Sequence, residues 1–394
     1  MAPDMDLLIL GASTRAAAMS ALRAGFTPHC VDLFADRDLR AIAPVSKVDR
    51  LAYPDGLEAL ASQRPRSPWI YTGALENHPE LVDRIARARP LWGNPGATLR
   101  AVRDPLAVAE VLARAGMPCP RVRRDPHGLP RDGSWLLKPI ASAGGRGIRP
   151  LTAEAPPAAG SLPYYQERIE GIDLAAIFVG DPEGARLLGV TRQWIGGDPV
   201  RGAFSYRGSI GPWPLAVAER ARTEALGKAL AASFGLVGIF GVDLVLREGF
   251  PWPVEINPRY TASVEVLELA SGASFLADHA RACDPSRADC VRPPPSTTPR
   301  RVVGKAILFA PAACRFPGAR SRGVDTAASE APGSRAAPTP RRFRRFADLP
   351  EPAAVFEAGE PVLTLLQPAQ TLDDCQRILD RRLRSWTRRL TRSG

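Results

Sequence analysis

Two apolar segments near the middle of the chain each carry a carboxylate, and this feature limits the fold more than any other. Residues 241–246 contain Asp243, and residues 254–259 contain Glu255 and Asn257. Residues two apart in a strand point to one face, so Glu255 and Asn257 are expected to face together. Solvated positions on an edge hairpin are the alternative, which the apolar surroundings disfavour because an unpaired charge there is costly. The pattern predicts two adjacent strands whose oxygen atoms suit Mg²⁺.

A short strand that ends at Lys138 leads directly into a glycine-rich loop. Residues 141–147 read Ala-Ser-Ala-Gly-Gly-Arg-Gly. An ammonium group can contact phosphate oxygens, and glycines let backbone N–H groups approach them. The P-loop order G-x-x-x-x-G-K-[ST] is absent. By itself, the segment fits an ordinary glycine-rich hairpin equally well.

These segments occur in one order, with a strand and an acidic stretch at residues 166–173 between them. In this order they resemble the ATP-grasp superfamily over roughly residues 98–275. Residues 257–265 are similar to carboligase-like members related to the tyramine–glutamate ligase of methanofuran biosynthesis. The resemblance implies a mixed α/β and α+β fold: an N-terminal Rossmann-like preATP-grasp domain, then an ATP-grasp fold with a C-terminal extension.

The resemblance also implies a role for each matching residue. The implied ATP-binding residues are Arg103, Lys138, Ser142, Gly144, Gly145, Gly147, Glu167, Ile169 and Asp173. Arg103 stands where many members have an early lysine that faces the phosphates. Arginine can bind phosphate through its planar guanidinium, but whether Arg103 replaces that lysine is left open. The implied ligands of Mg²⁺, or of Mn²⁺ as the alternative ion, are Asp243, Glu255 and Asn257. The implied catalytic residues are Arg259, which would steady the transferred phosphate, and Lys138.

The expected reaction joins a small-molecule carboxylate to an amine. The carboxylate attacks the γ phosphorus of ATP, the amine displaces phosphate from the acyl phosphate, and ADP is released; Mg²⁺ and cationic residues offset the charge that moves. Glutamate is the first carboxylate to consider, and a one-carbon cofactor of pterin or methanofuran type is the implied pathway. An ATP-dependent carboxylase related to biotin carboxylase and a small-molecule kinase are the enzyme alternatives. Related proteins also imply a homodimer.

Two further segments supply candidate substrate contacts. Residues 203–212 mix a cation, aromatic rings and hydroxyls with glycines, which singles out Tyr206, Arg207 and Ser209. An ordinary β-turn with an exposed arginine is the equal alternative for that segment. In the resembling enzymes the loop after the first strand often faces the substrate, which adds Ser13 and Arg15.

The first 32 residues follow a β-α-β plan that imitates a dinucleotide-binding fingerprint. Asp32 lies 21 residues beyond Gly11, as an acid that binds ribose would. The fingerprint needs glycines where Ser13 and Ala16 stand, and this disfavours a dehydrogenase.

A length of 394 residues predicts two or three domains. We expect domains at residues 1–97 and 98–282, and a C-terminal extension at 283–394 with strands at 302–309 and 361–366, a helix from 372 to about 390, and a poorly ordered basic loop at about 315–345. Residues 281–394 hold 21 Lys/Arg against 11 Asp/Glu, nearly all of the net charge of +11. The basic and aromatic run at 341–346 offers nucleic-acid binding as the non-enzymatic alternative, which a solvated loop explains more simply.

The remaining features indicate a protein of the cytoplasm without a membrane span. The most apolar stretch, residues 229–246, is interrupted by glycines and Asp243. The N-terminus has acids where a signal peptide needs basic residues. The six cysteines form no C-x-x-C pair, so neither a zinc site nor a disulfide framework is expected.

Overall fold

The computed structural model describes residues 5–153, 163–196, 201–286, 301–317 and 343–392. The helices are α1 (Arg15–Ala24), α2 (Arg37–Arg40), α3 (Gly56–Ser62), α4 (Pro79–Ala88), α5 (Gly96–Arg103), α6 (Pro105–Arg114), α7 (Val217–Phe234), α8 (Ala262–Ser271), α9 (Phe275–Cys283) and α10 (Leu372–Thr391), with a short 3-10 turn at Leu75–Asn77. The strands are β1 (Met5–Gly11), β2 (Phe26–Asp32), β3 (Val45–Lys47), β4 (Trp69–Tyr71), β5 (Val122–Arg123), β6 (Asp132–Pro139), β7 (Arg149–Thr152), β8 (Pro163–Glu167), β9 (Ile172–Asp181), β10 (Gly184–Ile195), β11 (Tyr206–Gly211), β12 (Gly238–Arg247), β13 (Phe250–Asn257), β14 (Val302–Phe309), β15 (Cys314–Arg315), β16 (Phe346–Ala347), β17 (Val355–Phe356) and β18 (Pro361–Ala369).

The N-terminal unit is a four-stranded parallel sheet in the order β3-β2-β1-β4. Its strand β1 is apolar throughout residues 7–10 and fully buried, as a central parallel strand covered on both faces must be. Asp32 ends β2 and accepts hydrogen bonds from the backbone N–H and the hydroxyl of Thr14, at 2.6 and 2.8 Å. The carboxylate that imitates a ribose-binding acid therefore fixes the loop between β1 and α1.

The sequence pattern predicts one helix over residues 98–115, which ends before Gly116 and Pro118, but the structure has two helices there. Helix α5 ends at Arg103 and α6 begins at Pro105. Proline lacks a backbone N–H and disfavours helical conformation in the residue before it, so the chain breaks at Asp104. Asp104 then caps α6 by accepting the N–H of Leu106.

A small antiparallel sheet in the order β5-β8-β6-β7 follows, with Lys138 in β6 opposite Tyr164 in β8. Trp135, Leu137 and Tyr165 pack in its own core. The glycine-rich loop runs from the end of β6 to the start of β7. This sheet forms one wall of the cavity described below.

The largest sheet has eight antiparallel strands in the order β13-β12-β9-β10-β11-β14-β18-β16. Strands β12 and β13 pair so that Asp243 lies opposite Glu255 and Gly241 opposite Asn257, which confirms the predicted adjacent strands. Strands β14 and β18 and helix α10 confirm the elements predicted in the C-terminal extension, and they continue this same sheet. Residues 318–342 of the predicted basic loop lie outside the described residues.

The two faces of the large sheet are covered differently. Helix α7 packs on one face around Phe178, and α10 packs on the same face with Leu379 against β14. Helix α8 lies on the opposite face, where Glu265 contacts Lys305 of β14. That second face is the floor of the cavity. Among the described residues no helix is both long and apolar enough to cross a membrane.

Candidate functional site

A cavity of about 870 Å³ lies where the N-terminal unit, the small sheet and the large sheet meet. Most of the residues that the sequence singles out reach it, although they come from elements far apart in the chain. The predicted site residues that line the cavity are Ser13, Lys138, Gly144, Gly145, Glu167, Ile169, Asp173, Tyr206, Asp243, Glu255, Asn257 and Arg259. The arrangement brings two carboxylates, a lysine, an arginine and a glycine loop to one space.

The carboxylate centre is set by the register of β12 and β13. Asn257 donates to one oxygen of Asp243 at 3.1 Å, and Gln193 donates to the other at 2.7 Å. Burial, and then the neighbouring carboxylate of Glu255, raise the pKa of Asp243 to about 7. A cation between the two carboxylates would relieve this repulsion.

The donor set of this centre fits Mg²⁺. Two carboxylates and an amide oxygen are hard ligands, and Mg²⁺ takes only a few protein ligands beside phosphate oxygens and water. Among the described residues no group of three His, Cys, Asp or Glu side chains has the geometry of a metal site. The ion would therefore need ligands from a bound polyphosphate as well.

Arg103 lies behind this centre and does not line the cavity. Its guanidinium donates to Glu255 at 2.7 Å, to the side chain of Asn77 at 2.6 Å and to the carbonyls of Ile140 and Ser142 at 2.7 and 3.2 Å. The predicted phosphate contact is thus engaged with protein partners. Ser142 likewise presents its carbonyl to Arg103 and lies outside the cavity lining.

Arg259 is held by Glu76, a residue that the sequence reasoning missed. The Arg259 Nε donates to one carboxylate oxygen of Glu76 at 2.8 Å, and Nη2 donates to the other. Glu76 is 2% exposed. Burial would raise its pKa, but the Arg259 guanidinium holds the pKa of Glu76 below its ordinary value. Glu76 follows the carboxyl end of β4, and ligand-binding residues of parallel sheets are usually found at that edge. This position in the sequence could have identified Glu76 as a site residue.

Lys138 lies at the end of β6 with 6% of its surface exposed. Its ammonium donates to the side chain of Gln166 and to the carbonyl of Val254, both at 3.0 Å. These bonds join the small sheet to β13. They also aim a fixed positive charge at the cavity close to the carboxylate centre.

The glycine loop packs against the segment before β11. Gly145 has φ +76°, and a Cβ atom there would overlap the carbonyl oxygen of Phe204. The N–H of Tyr206 donates to the carbonyl of Gly144 at 3.0 Å. Gly147, also with positive φ, lies against Pro139 outside the cavity lining.

The predicted adenine and ribose segment forms the far end of the cavity. Glu167 turns its carboxylate to the guanidinium of Arg121, with two contacts of 3.1 Å, and its backbone N–H donates to the Arg121 carbonyl at 2.8 Å. Ile169 supplies an apolar wall. Burial raises the pKa of Asp173, which lines the same end.

The predicted substrate residues divide into two groups. Ser13 and Tyr206 line the cavity, and Ser209 lies directly behind, bonded to the Tyr206 hydroxyl at 2.8 Å. Arg15 and Arg207 do not line it.

Each of these two arginines is engaged elsewhere. Arg15 is 4% exposed and ion-paired with Glu265 and with Asp348, whose carboxylate is 2.8 Å from its Nε. Arg207 lies over the ring of Trp194, at 5.7 Å, in a separate groove beside α10. The partners of Arg15 are too distant in sequence for the local pattern to reveal, whereas Trp194 lies on the strand that pairs with that of Arg207.

Comparisons with known proteins identify a family model, a sequence relative and structures of similar fold. Residues 102–263 match the family model of the ATP-grasp domain. The chain is 26% identical over 290 residues to formate-dependent phosphoribosylglycinamide formyltransferase of Xanthomonas campestris pv. campestris, a match that covers 69% of this chain and 67% of the relative. Carboxyaminoimidazole ribonucleotide synthase from Aspergillus clavatus, solved in complex with ATP, has a TM-score of 0.69 and 16% identity over 99% of this chain and 100% of its own. L-amino acid ligase from Bacillus licheniformis has a TM-score of 0.66 and 14% identity over 95% and 96%.

The fold and the cavity thus define a nucleotide-binding α/β protein of several packed sheets. More narrowly, residues 102–263 match an ATP-grasp domain, and the fold of the chain is similar to that of carboxyaminoimidazole ribonucleotide synthase. This confirms the fold class and the superfamily resemblance drawn from residues 98–275. The finer similarity to tyramine–glutamate ligase stays a prediction.

Proposed function

We propose that this protein is an ATP- and Mg²⁺-dependent ligase that joins a carboxylate to an amine. One observation carries the proposal: the paired carboxylates Asp243 and Glu255 face the same cavity as Lys138 and Arg259. Phosphoryl transfer needs a metal between phosphate oxygens and fixed cations around the transferred group, because catalysis there is mainly positioning and charge stabilisation.

The residues divide the work by position. Asp243, Glu255 and Asn257 would hold Mg²⁺, with Mn²⁺ as the alternative ion, and a metal there would neutralise charge on the phosphates. Lys138 would contact the phosphates, and Arg259 would stabilise the phosphoryl group as it leaves ATP. The glycine loop would cover the phosphates and keep water from the acyl phosphate.

Two similar proteins favour bond formation to an amine. One is named as a formyltransferase of phosphoribosylglycinamide that depends on formate, and the other as an L-amino acid ligase. We propose glutamate as the first carboxylate to test and synthesis of a one-carbon cofactor of pterin or methanofuran type as the pathway. We retain a homodimer as the expected assembly.

The test is hydroxamate formation. The purified chain is given Mg-ATP, hydroxylamine and a panel of carboxylates that begins with glutamate. We expect a hydroxamate with one acid and its loss in Asp243→Asn. Asp373→Asn, the same substitution at an exposed position of α10, is the matched control and should keep full activity.

Three results would contradict the proposal in different ways. ADP release with bicarbonate and no hydroxamate would indicate a carboxylase. ADP release with a phosphorylated product that is stable to hydroxylamine would indicate a kinase. Failure to bind Mg-ATP would overturn the nucleotide site altogether.

A further inference from the structure

One end of the cavity is built entirely outside residues 102–263. Phe34 and Asp36 follow β2, Lys305 lies in β14, Asp348 follows β16 and Thr364 lies in β18. The N-terminal unit and the C-terminal strands thus form this end together. We call it the acidic end, after its two aspartates.

Ion pairs of Arg15 and Lys305 neutralise most of the charge there. Lys305 donates to Glu265 at 2.7 Å, and Arg15 contacts both Glu265 and Asp348. Lys305 is therefore already matched by a carboxylate on α8. Both cations of the acidic end, Arg15 and Lys305, are thus paired with carboxylates in the part of the chain that the structure describes.

Two more acids, Asp38 and Asp36, lie there, and the carboxylate of Asp38 is 3.7 Å from the Arg15 guanidinium. Asp38 is buried below the loop and accepts the N–H groups of Asp348 and Leu349 at 3.0 and 2.9 Å. Asp36 lines the cavity, and no described side chain or N–H group donates a hydrogen bond to its carboxylate. The acidic end thus keeps one carboxylate that faces the cavity without a hydrogen-bonded partner.

The surroundings of Asp36 make a cation the favoured partner. Burial, followed by the charges of Asp348, Asp38 and Asp32, raises the pKa of Asp36 to about 9. The free-energy cost of ionising a buried carboxyl group among other acids is offset when a positive charge is bound beside it. A phosphate at the same place would add to the repulsion.

Thr364 gives a second, independent indication of a ligand. It is 2% exposed and lines the cavity, and its hydroxyl has no hydrogen-bond partner among the described residues. It lies opposite Ile307 in β14 and Ala347 in β16. Buried hydroxyls normally have partners. Phe34 and Phe356 provide apolar walls nearby.

We propose that the acidic end binds a small organic cation, an ammonium group on an apolar body, with Asp36 as its counter-ion and Thr364 as a second acceptor. The proposal rests on the proposed function, because this cation would be the amine substrate. It names the substrate class: an amine and not a phosphate monoester.

The test uses three ligands that share one body and differ in charge. Benzylamine is cationic near neutral pH, benzyl alcohol is neutral and benzyl phosphate is anionic. Calorimetry on the full chain should show benzylamine binding at least about tenfold more tightly than benzyl alcohol, the size expected for loss of a charge-assisted contact of roughly 1.5 kcal/mol. Asp36→Asn should remove that preference. Asp49→Asn, an exposed acid of the same unit, should preserve it.

Binding of Mg-ADP, measured on the same samples, separates the two proposals. Normal Mg-ADP binding without a preference for benzylamine would overturn the acidic end as a cation subsite and leave the proposed function standing. The benzylamine preference without Mg-ADP binding would overturn the proposed function instead. Tighter binding of benzyl phosphate would overturn the subsite. If Asp36→Asn does not fold, Thr364→Val, which keeps the side-chain shape, should weaken benzylamine at least threefold; unchanged binding would contradict the proposal.

Discussion

Glu76 and Arg259 form a two-pronged, buried ion pair that joins the turn after β4 to the end of β13. Asn77, the next residue, accepts from Arg103 and donates to the carbonyl of Ser142 at 3.1 Å. One turn of the N-terminal unit thus holds Arg103 behind the carboxylate centre, Arg259 at the cavity wall and the start of the glycine loop. This makes Glu76 a positioning residue for Arg259.

Glu76→Gln should lower ATP turnover at least about tenfold and leave the KM for ATP little changed, because Arg259 would lose its fixed orientation and not the nucleotide contacts. Loss of one partner of a buried pair costs about 3–5 kcal/mol, and the retained amide should reduce that cost. The measurements are steady-state ADP release and the melting temperature. Glu58→Gln, in an exposed pair with Arg84, is the control and should cost about 1 kcal/mol or less. Equal effects of the two substitutions would contradict the positioning role.

Glu255→Gln should raise the Mg²⁺ concentration needed for half-maximal ADP release at least about tenfold, the lower end of the effect of disturbing a metal site. The substitution removes a negative ligand and the partner of Arg103 together. A Mg²⁺ titration at saturating ATP measures it. Glu110→Gln, exposed on α6, should leave the titration unchanged. A wild-type titration curve for Glu255→Gln would exclude this residue from the metal site.

Gly145→Ala should weaken Mg-ATP binding strongly, because a methyl group at that position meets the Phe204 carbonyl and the backbone has positive φ. Gly144→Ala is the matched control. It carries the same backbone strain at φ +63°, but its methyl group would meet only the end of Arg201, at 3.9 Å. Calorimetric titration should show the larger loss at Gly145. The reverse order would mean that the loop does not close on this segment.

Asp36 should make the protein less stable as pH rises. Its pKa is about 9 in the folded chain, against an ordinary value of 3.8. Between these values the folded state binds more protons than the unfolded state, so the free energy of unfolding falls with increasing pH. Asp36→Asn removes this contribution. The difference in melting temperature, variant minus wild type, should therefore be larger at about pH 8 than at about pH 5. Asp32 and Asp38 remain in both proteins and largely cancel in the comparison. A pH-independent difference would contradict the shifted pKa.

The sequence predicted those parts of the site that lie within one local pattern. Alternation along β13 placed Glu255 and Asn257 on one face, and the pairing with β12 followed from the short turn between them. Lys138 and the glycine loop were equally local. Pro105 shows that even a local pattern can mislead. The apolar periodicity continues through residues 98–115, but the proline divides this segment into two helices.

The missed residues depend on contacts between distant parts of the chain. Glu76 meets Arg259 across 183 positions, and Arg15 meets Asp348 across 333. Arg15 was chosen because its loop faces the substrate in the resembling enzymes, and Arg207 because its segment mixes a cation, aromatic rings and hydroxyls with glycines. Asp36 and Thr364 had no local signal, because the cavity that they line forms only when the N-terminal unit packs beside strand β18.

The continuity of the large sheet limits how such proteins can be recombined. Strand β11 pairs directly with β14, and β14 with β18, so the hydrogen-bond ladder runs from the carboxylate strands into the last hundred residues. Truncation at residue 282 would leave β11 with an unpaired edge. A chimaera joined there would take the strands that carry positions 305 and 364 from the other parent. The nucleotide site and the proposed amine site of such a chimaera would then come from different parent proteins. The smallest transplantable unit therefore reaches through β18.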